Sequence, residues 1–337
     1  MQDVARACGY SRAAVSMALR DDPTIPEKTR AEIRAVARKI GYRANPLVAA
    51  LMSLRRQRRP TTQNTTAIAF LSSHPADNPW RKQPVYRRMF AGAVECANGL
   101  GFRLEEFDLK AKGMSPSRVR AIFDTRHVHA VIAAPLPYGE TRLEFDFESL
   151  AVVGLGLSVH EPFIERVSTD LFQAARLSVA RCVDLGYRRI GFVVSQETSQ
   201  RLDQRWLGGY RFAVEHHQLV NRLPPLMPAR THEIAHELPG WLRKHRADVV
   251  ILGNAERELP ALSSPGTGLV SLSVERPDDE QTGIFEDHRL LGHIAVEQVV
   301  AKLNHHVMGP MPGARLHLVE GSWVTGTTAL GPRPRRR

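Results

Sequence analysis

Residues 3–19 read DVARACGYSRAAVSMAL. Val4, Ala5 and Cys8 form one apolar helical stripe, Gly9 then breaks the helix, and Ser11 supplies the short hydroxyl that caps the next. In that second helix Ala14, Val15, Ala18 and Leu19 recur at helical spacing. A helix-turn-helix needs a small residue where two helices touch, a residue tolerant of positive φ in the turn, and an apolar anchor on the second helix. Ala5, Gly9 and Val15 fill those places, although the triplet alone fits many helical hairpins. Pro26 suits a first helical turn, Ile33, Val36, Ala37 and Ile40 mark a third buried stripe, and Gly41 serves as its C-cap. The first 44 residues are therefore expected to be three short helices.

Charge gives this head a partner class. The 337-residue chain carries a formal net charge of +11. Residues 1–60 hold 13 Lys/Arg against 5 Asp/Glu, and RPRRR at 333–337 adds four arginines, which leaves a near-neutral body. A basic head on a neutral body points to a polyanion; the competing explanation is a solvated charged surface. Arg12, Ser16 and Arg20 fall toward the outer side of the second helix, available to a major groove.

Beyond the head, Asn45-Pro46 reads as an N-cap and N1 pair opening a short helix, LVAALMS, before the polar, basic stretch RRQRRPTTQNTT. From residue 66 short apolar runs alternate with amphipathic stretches: AIAFLS, FRLEEF, AVIAAPL and LAVVGLGL, with helices near 84–100 and 116–126. A second series follows, RIGFVVS, DVVILGN and LVSLSV, with helices near 171–185, 203–218, 233–245 and 289–304. The expected fold class is an all-α helix-turn-helix head plus an α/β two-lobed core with parallel sheets, and ligands in such sheets sit beyond the carboxyl ends of the strands. No apolar run is long enough for a bilayer, and the N-terminal MQDVARACGYSR lacks the apolar core of a secretory signal. The expected compartment is the cytoplasm, at the nucleoid. Cys8, Cys96 and Cys182 are scattered, as reduced buried thiols would be.

One motif points elsewhere. HEIAH at 232–236 fits H-E-x-x-H, the zinc-hydrolase signature. On a helical wheel Ile234, Leu238, Trp241 and Leu242 cluster on one side, with His232 and His236 opposite, beside Arg243. Glu256 and Glu258 are at tempting separations for a third ligand, yet DVVILGN intervenes as a core strand. The expectation is a surface helix with no metal and no catalytic residue; a zinc metallohydrolase is the remote alternative. The adjacent pairs His216-His217 and His305-His306 point in different directions on a helix.

DVARACGYSRAAVSMAL together with IPEKTRAEIRAVARKIGYRANPLVAALM closely resembles the head of the lactose-repressor (LacI/GalR) family of transcriptional regulators. The resemblance continues at lower density through STDLFQAA (168–175), LGYRRIGFV (185–193), RWLGGY (205–210) and GSWVTGTT near the end. It implies a dimeric repressor, not an enzyme, whose core is similar to periplasmic sugar-binding proteins. The implied division is a head over 1–44, a hinge helix and linker over 45–61, one lobe from 62–169 with 288–316, a second from 170–287 with 317–330, and a basic tail over 331–337.

Carried over residue by residue, the recognition helix begins at Ser11, with Arg12 and Ala13 where operator bases are chosen and Ser16 and Thr29 where phosphates are touched. Arg20 and Tyr42 complete the implied DNA contacts of the head. Met17 departs from the arginine many members carry there, and a thioether cannot make a bidentate bond to guanine. Only Met1 and Gln2 precede Asp3, so either helix 1 lacks its usual cap or the start lies upstream. Asn45 opens the hinge, and Leu51 occupies the place of the leucine that wedges into the minor groove; packing at the head–core junction is the alternative for Leu51.

The implied effector cleft includes Ser72 or Ser73, Asp170, Asn254, and Glu286 or Asp287. Where many members hold an arginine three residues before a Gly-aromatic pair, this chain has Trp206, with Arg205 shifted by one, and the usual Asn-Asp has become Asn254-Ala255. A Trp face stacks on a sugar, so a carbohydrate effector survives these departures. The ordinary alternatives are a helix cap for Asp170 and core packing for Trp206. The partners implied are an operator in double-stranded DNA, a second copy of the chain and a small ligand expected to be a sugar, with no cofactor and no membrane. A DNA-binding regulator without any effector is the alternative.

Overall fold

Continuous apolar runs become strands buried on both faces. The computed structural model describes residues 2–19, 25–40, 66–76, 80–219, 222–253 and 266–332. Ala67–Ser72 (β1), Ala130–Ala133 (β3) and Ala151–Leu155 (β4) are buried almost throughout, as parallel strands covered by helices must be. With Arg103–Asp108 (β2), Glu165–Thr169 (β5) and Leu316–Val319 (β10) they form a six-stranded sheet ordered β10-β5-β4-β3-β1-β2, parallel throughout. The helices Pro84–Gly99 (α4), Pro116–Arg126 (α5) and His288–His305 (α10) belong to this lobe. Its two faces build separate cores, one around Phe70, Met89, Ile132 and Val296, the other around Leu71, Phe123, Val131 and Phe147.

The second lobe holds a five-stranded sheet ordered β11-β9-β8-β7-β6: Ser322–Val324, Gly283–Phe285, Gly268–Val274, Val249–Leu252 and Ile190–Val193. Only the β9–β11 pair is antiparallel. Leu171–Asp184 (α6), Gln196–Arg201 (α7), Arg205–His216 (α8) and Ile234–His245 (α9) accompany it. The chain changes lobe three times, at Asp170, between Phe285 and His288, and between Val319 and Ser322. This corrects the expected boundary after residue 316, because Leu316–Val319 pairs with β5 and stays in the first sheet.

Four strands (β5, β9, β10, β11) and the short helix α7 did not stand out in the sequence. β10, Leu-His-Leu-Val, is a half-exposed edge strand of four residues, and β9 and β11 have three residues each, too short to show a period. The helix expected near 203–218 begins only at Arg205, because Asp203 and Gln204 both take φ +54, a left-handed conformation no α-helix continues through. That break separates α7 from α8.

The close crossing of α4 and α10 fixes one wall of the cleft between the lobes. A Cβ on Gly292 would lie 1.8 Å from the Met89 carbonyl oxygen, and one on Gly92 would lie 1.9 Å from that of Arg289. Only hydrogen fits between the two backbones at either place.

Candidate functional site

The head comprises Gln2–Cys8 (α1), Arg12–Ala18 (α2) and Glu27–Lys39 (α3). Gly9 takes φ +74 and its N–H donates to the Ala5 carbonyl at 3.0 Å, which ends α1 and turns the chain. Ser11 Oγ then accepts the Ala14 N–H at 3.1 Å and caps α2. Val4, Ala5, Val15, Ala18, Ile33 and Ala37 close a small core among the three helices, so Ala5, Gly9 and Val15 have the contact, turn and anchor roles their spacing suggests. Tyr10 Oη donates to Glu32 at 3.1 Å and ties the turn to α3.

The backbone of α2 takes in Arg12, Ala13, Ser16 and the half-buried Met17. Thr29 lies in the first turn of α3, where free N–H groups and the helix dipole favour a phosphate; Glu27, in the same turn, is paired with Arg30. Arg20, Tyr42, Asn45 and Leu51, the whole hinge over 45–61 and the arginines of the tail lie outside the described residues.

Between the lobes lies a cleft of about 770 Å³. Loops beyond the carboxyl ends of β3 and β4 bring Pro135, Tyr138 and Ser158; α4 brings Tyr86 and Met89, and α10 brings His288 and Leu291. From the second lobe come Arg201 at the end of α7, Trp206 on α8, and Glu275 and Glu286 beyond β8 and β9. The cleft thus has aromatic faces, hydroxyls and both signs of charge, the mixture of an organic-ligand site.

Three lining side chains are buried and hold polar atoms that are shielded from water and, among the described residues, have no hydrogen-bond partner: Trp206 Nε1, Glu286 Oε1 and His288 Nδ1. The three residues are only 3%, 4% and 4% exposed. His288 Nε2 lies 3.5 Å from Glu286 Oε2, so each side chain engages the other with one atom and leaves its second unused. An unsatisfied buried polar atom costs about 1–3 kcal/mol, which a ligand group reaching it would offset.

Arg201 spans the cleft. Its Nη2 donates to Tyr86 Oη at 2.6 Å and its Nη1 to the Pro137 carbonyl at 3.1 Å, while Cζ lies 4.9 Å from the centre of the Tyr138 ring. Helix α7 is held in place for this. Ser195 Oγ accepts the Thr198 N–H at 3.2 Å, and Glu197 accepts the amide and hydroxyl of Thr231 at 2.9 and 3.1 Å. A second bridge joins Arg88 on α4 to Glu275 at 3.3 Å. Behind Tyr86, His74 sits edge-on at 5.8 Å between ring centres. Burial, helped by the positive charge of Arg201, lowers the His74 pKa to about 4.

Of the expected ligand contacts, Trp206 and Glu286 both line the cleft. Asp170 caps α6 by accepting the Gln173 N–H at 3.0 Å, and Asp287 caps α10 through the Leu290 N–H at 3.0 Å. Ser72 Oγ donates to the Phe107 carbonyl at 3.5 Å and Ser73 is buried beside it; Arg205 faces Asp203 at 3.7 Å. These five are not among the residues lining the cleft, and Asn254 lies outside the described residues. Tyr86, Tyr138, Arg201 and His288 were not singled out in the sequence. Tyr138 and Ser158 could have been found from the rule that ligands meet the carboxyl ends of parallel strands. Nothing local marks Arg201.

HEIAH does not form one helix. His232 sits in a 3₁₀ turn, Thr231–Glu233, where the Glu233 carboxylate accepts the Arg230 N–H at 3.0 Å, and α9 starts at Ile234. His232 and His236 are exposed, while Ile234, Leu238 and Leu242 are buried. Among the described residues no three His, Cys, Asp or Glu side chains gather as a metal site would require, and no helix is long and apolar enough to cross a membrane.

Residues 1–45 match the family model described as bacterial regulatory proteins, lacI family. The whole fold is similar to that of the transcriptional regulator CelR solved with cellobiose (TM-score 0.56, 16% identity, 97% of this chain and 98% of that one). It is equally similar to the lac repressor dimer bound to operator and the anti-inducer ONPF (TM-score 0.57, 16% identity, 97% and 98% covered). The transcription regulator CcpA of Lactococcus lactis matches with TM-score 0.57 and 13% identity over 79% of this chain and 99% of that one. At these identities the likeness establishes the fold alone, a three-helix head with a two-lobed α/β core of largely parallel sheets. No curated protein matches the chain by sequence.

Proposed function

We propose that this protein is a transcriptional regulator of the lacI family, a homodimeric repressor whose grip on a near-palindromic operator is set by a hydroxylated small ligand, a sugar, in the cleft. The effector half rests on one observation, the unused polar atoms of Trp206, Glu286 and His288 in the cleft wall. Trp206 offers a donor, Glu286 an acceptor, and His288 either according to its tautomer. A hydroxyl both donates and accepts, so neighbouring hydroxyls on one ligand satisfy all three, and the Trp206 ring adds an apolar face. That CelR was solved with cellobiose agrees with this class.

The DNA half rests on the head. Each α2 enters a major groove, with Arg12 and Ala13 at base edges and Ser16 and Thr29 at phosphates, while paired hinge segments starting at Asn45 drive Leu51 into the minor groove. Closing the lobes on the ligand alters how the two hinges are spaced, and ligand and operator then change each other's affinity by the same factor. Selection of bound sequences from random DNA, followed by anisotropy titration with and without a sugar panel, tests the whole. A palindromic site whose affinity moves at least about fivefold with one sugar, the lower end of ordinary coupling, is expected. A monomer indifferent to every oligonucleotide at moderate salt overturns the DNA half; a tight operator complex that no sugar alters leaves a regulator without an effector.

A further inference from the structure

We propose that Arg201 is an anion anchor, and that the ligand of this cleft carries a carboxylate or phosphate group held by the Arg201 guanidinium against Tyr86 and Tyr138. The inference rests on the reading of the cleft as an effector site and narrows the class of effector.

A guanidinium has five N–H donors and a permanent charge. The acceptors of Arg201 here are a phenol oxygen and a peptide carbonyl, both neutral, and a tyrosine ring covers one face. Among the described residues no carboxylate pairs with it, although it is half-buried in the cleft wall. A half-buried cation whose acceptors are neutral groups gains from an anion arriving in the same space.

Glu280 and Glu286 also line the cleft, on the second lobe, and three other carboxylates nearby are already engaged. Glu140, whose field reaches the same corner, is held by Lys110. On the opposite lip Glu275 is taken by Arg88, and Asp279 accepts the Gln281 N–H at 3.1 Å. Arg201 is therefore the lining cation with donors to spare and no countercharge among the described residues, while the Trp206, Glu286 and His288 atoms suit hydroxyls. A ligand meeting both sets is a polyol with an acid group, a sugar acid or a sugar phosphate. Because Arg201 belongs to one lobe and Tyr86 to the other, an anion seated there touches both lobes at once.

The test is calorimetric titration of the full chain with matched probes: glucose, gluconate, glucuronate and glucose 6-phosphate, and the corresponding galactose, mannose and xylose sets. A charge-assisted bond of ordinary strength separates acid from neutral members by about 30-fold. In Arg201→Gln and Arg201→Met that ratio should fall to within about threefold, whatever the change in the neutral sugar's own affinity, a selectivity loss that mere loosening of the lobes would not produce. The carboxylate and phosphate arms identify the acid. Neutral sugars binding as tightly as their acids in the unaltered protein, or an acid preference that survives both substitutions, overturns the anchor and leaves the effector site standing. Failure of every probe, neutral and acidic, to bind overturns the effector reading and the anchor with it.

Discussion

Replacing Gly292 by alanine drives a methyl group into the α4–α10 crossing. The new Cβ would sit 1.8 Å from the Met89 carbonyl oxygen, against an ordinary contact near 3.5 Å, so the helices must part by roughly 1.5 Å. The layer being opened contains Met89, Ala93, Leu291 and Val296, and a gap that wide forfeits most of the local dispersion. Overpacking of this kind costs about 3 kcal/mol at the upper end, and alanine recovers about 1 kcal/mol through helix propensity, for a net loss of about 2 kcal/mol. Gly99, the last residue of the same α4, has nothing within 4 Å of its Cβ position and is exposed, so Gly99→Ala should stabilise by about 0.5–1 kcal/mol. In thermal unfolding followed by circular dichroism, G292A should melt roughly 4–8 °C lower and G99A a little higher. Amide exchange should quicken in peptides over 84–99 and 288–305 in G292A alone. Tyr86 and His288 ride on these two helices, so ligand affinity should fall with stability in G292A. If G292A melts at or above the unaltered protein, or the two alanine variants shift in the same direction, the crossing is not as close as argued.

Other substitutions probe the head, the corner behind Tyr86 and the HEIAH segment. His74 has its pKa lowered to about 4 when folded, from 6.5 when free, so the unfolded chain takes up the proton first. The stability this neutral ring supports is complete above pH 6.5 and declines as pH falls toward 4, by about 3 kcal/mol at most. His74→Gln should flatten that slope in urea unfolding between pH 6.5 and 4, and an unchanged slope would refute the assignment. Ser11→Ala removes the acceptor for the Ala14 N–H and should cost the head about 1 kcal/mol, read as weaker operator binding that Ser11→Thr, which keeps a capping hydroxyl, restores. Leu238→Ala should cost about 2–5 kcal/mol while His236→Ala leaves the melting temperature within about 1 °C; stoichiometric zinc lost with His236 would reverse the account of HEIAH.

The sequence by itself determined the elements whose cause is local. The head's helices followed from Gly9, Ser11 and an apolar stripe at helical spacing, and α4, α5, α6, α9 and α10 fell within a residue or two of their expected limits, because amphipathic period and caps are properties of neighbours. The parallel α/β class followed from buried runs such as AVIA and VVIL. Tertiary structure decided the rest. Leu316–Val319 is a strand only because β5 offers it an edge. Trp206 and Glu286 were legible as cleft residues, but Asp170 and Asp287 in this fold serve as helix caps. Arg201 reaches a tyrosine 115 positions away, and His288 is set beside Glu286 where the chain changes lobe. Periodicity records which side of an element is buried; it carries no information about which distant side chain arrives on that side, since that is fixed only when the sheets and their crossings are assembled.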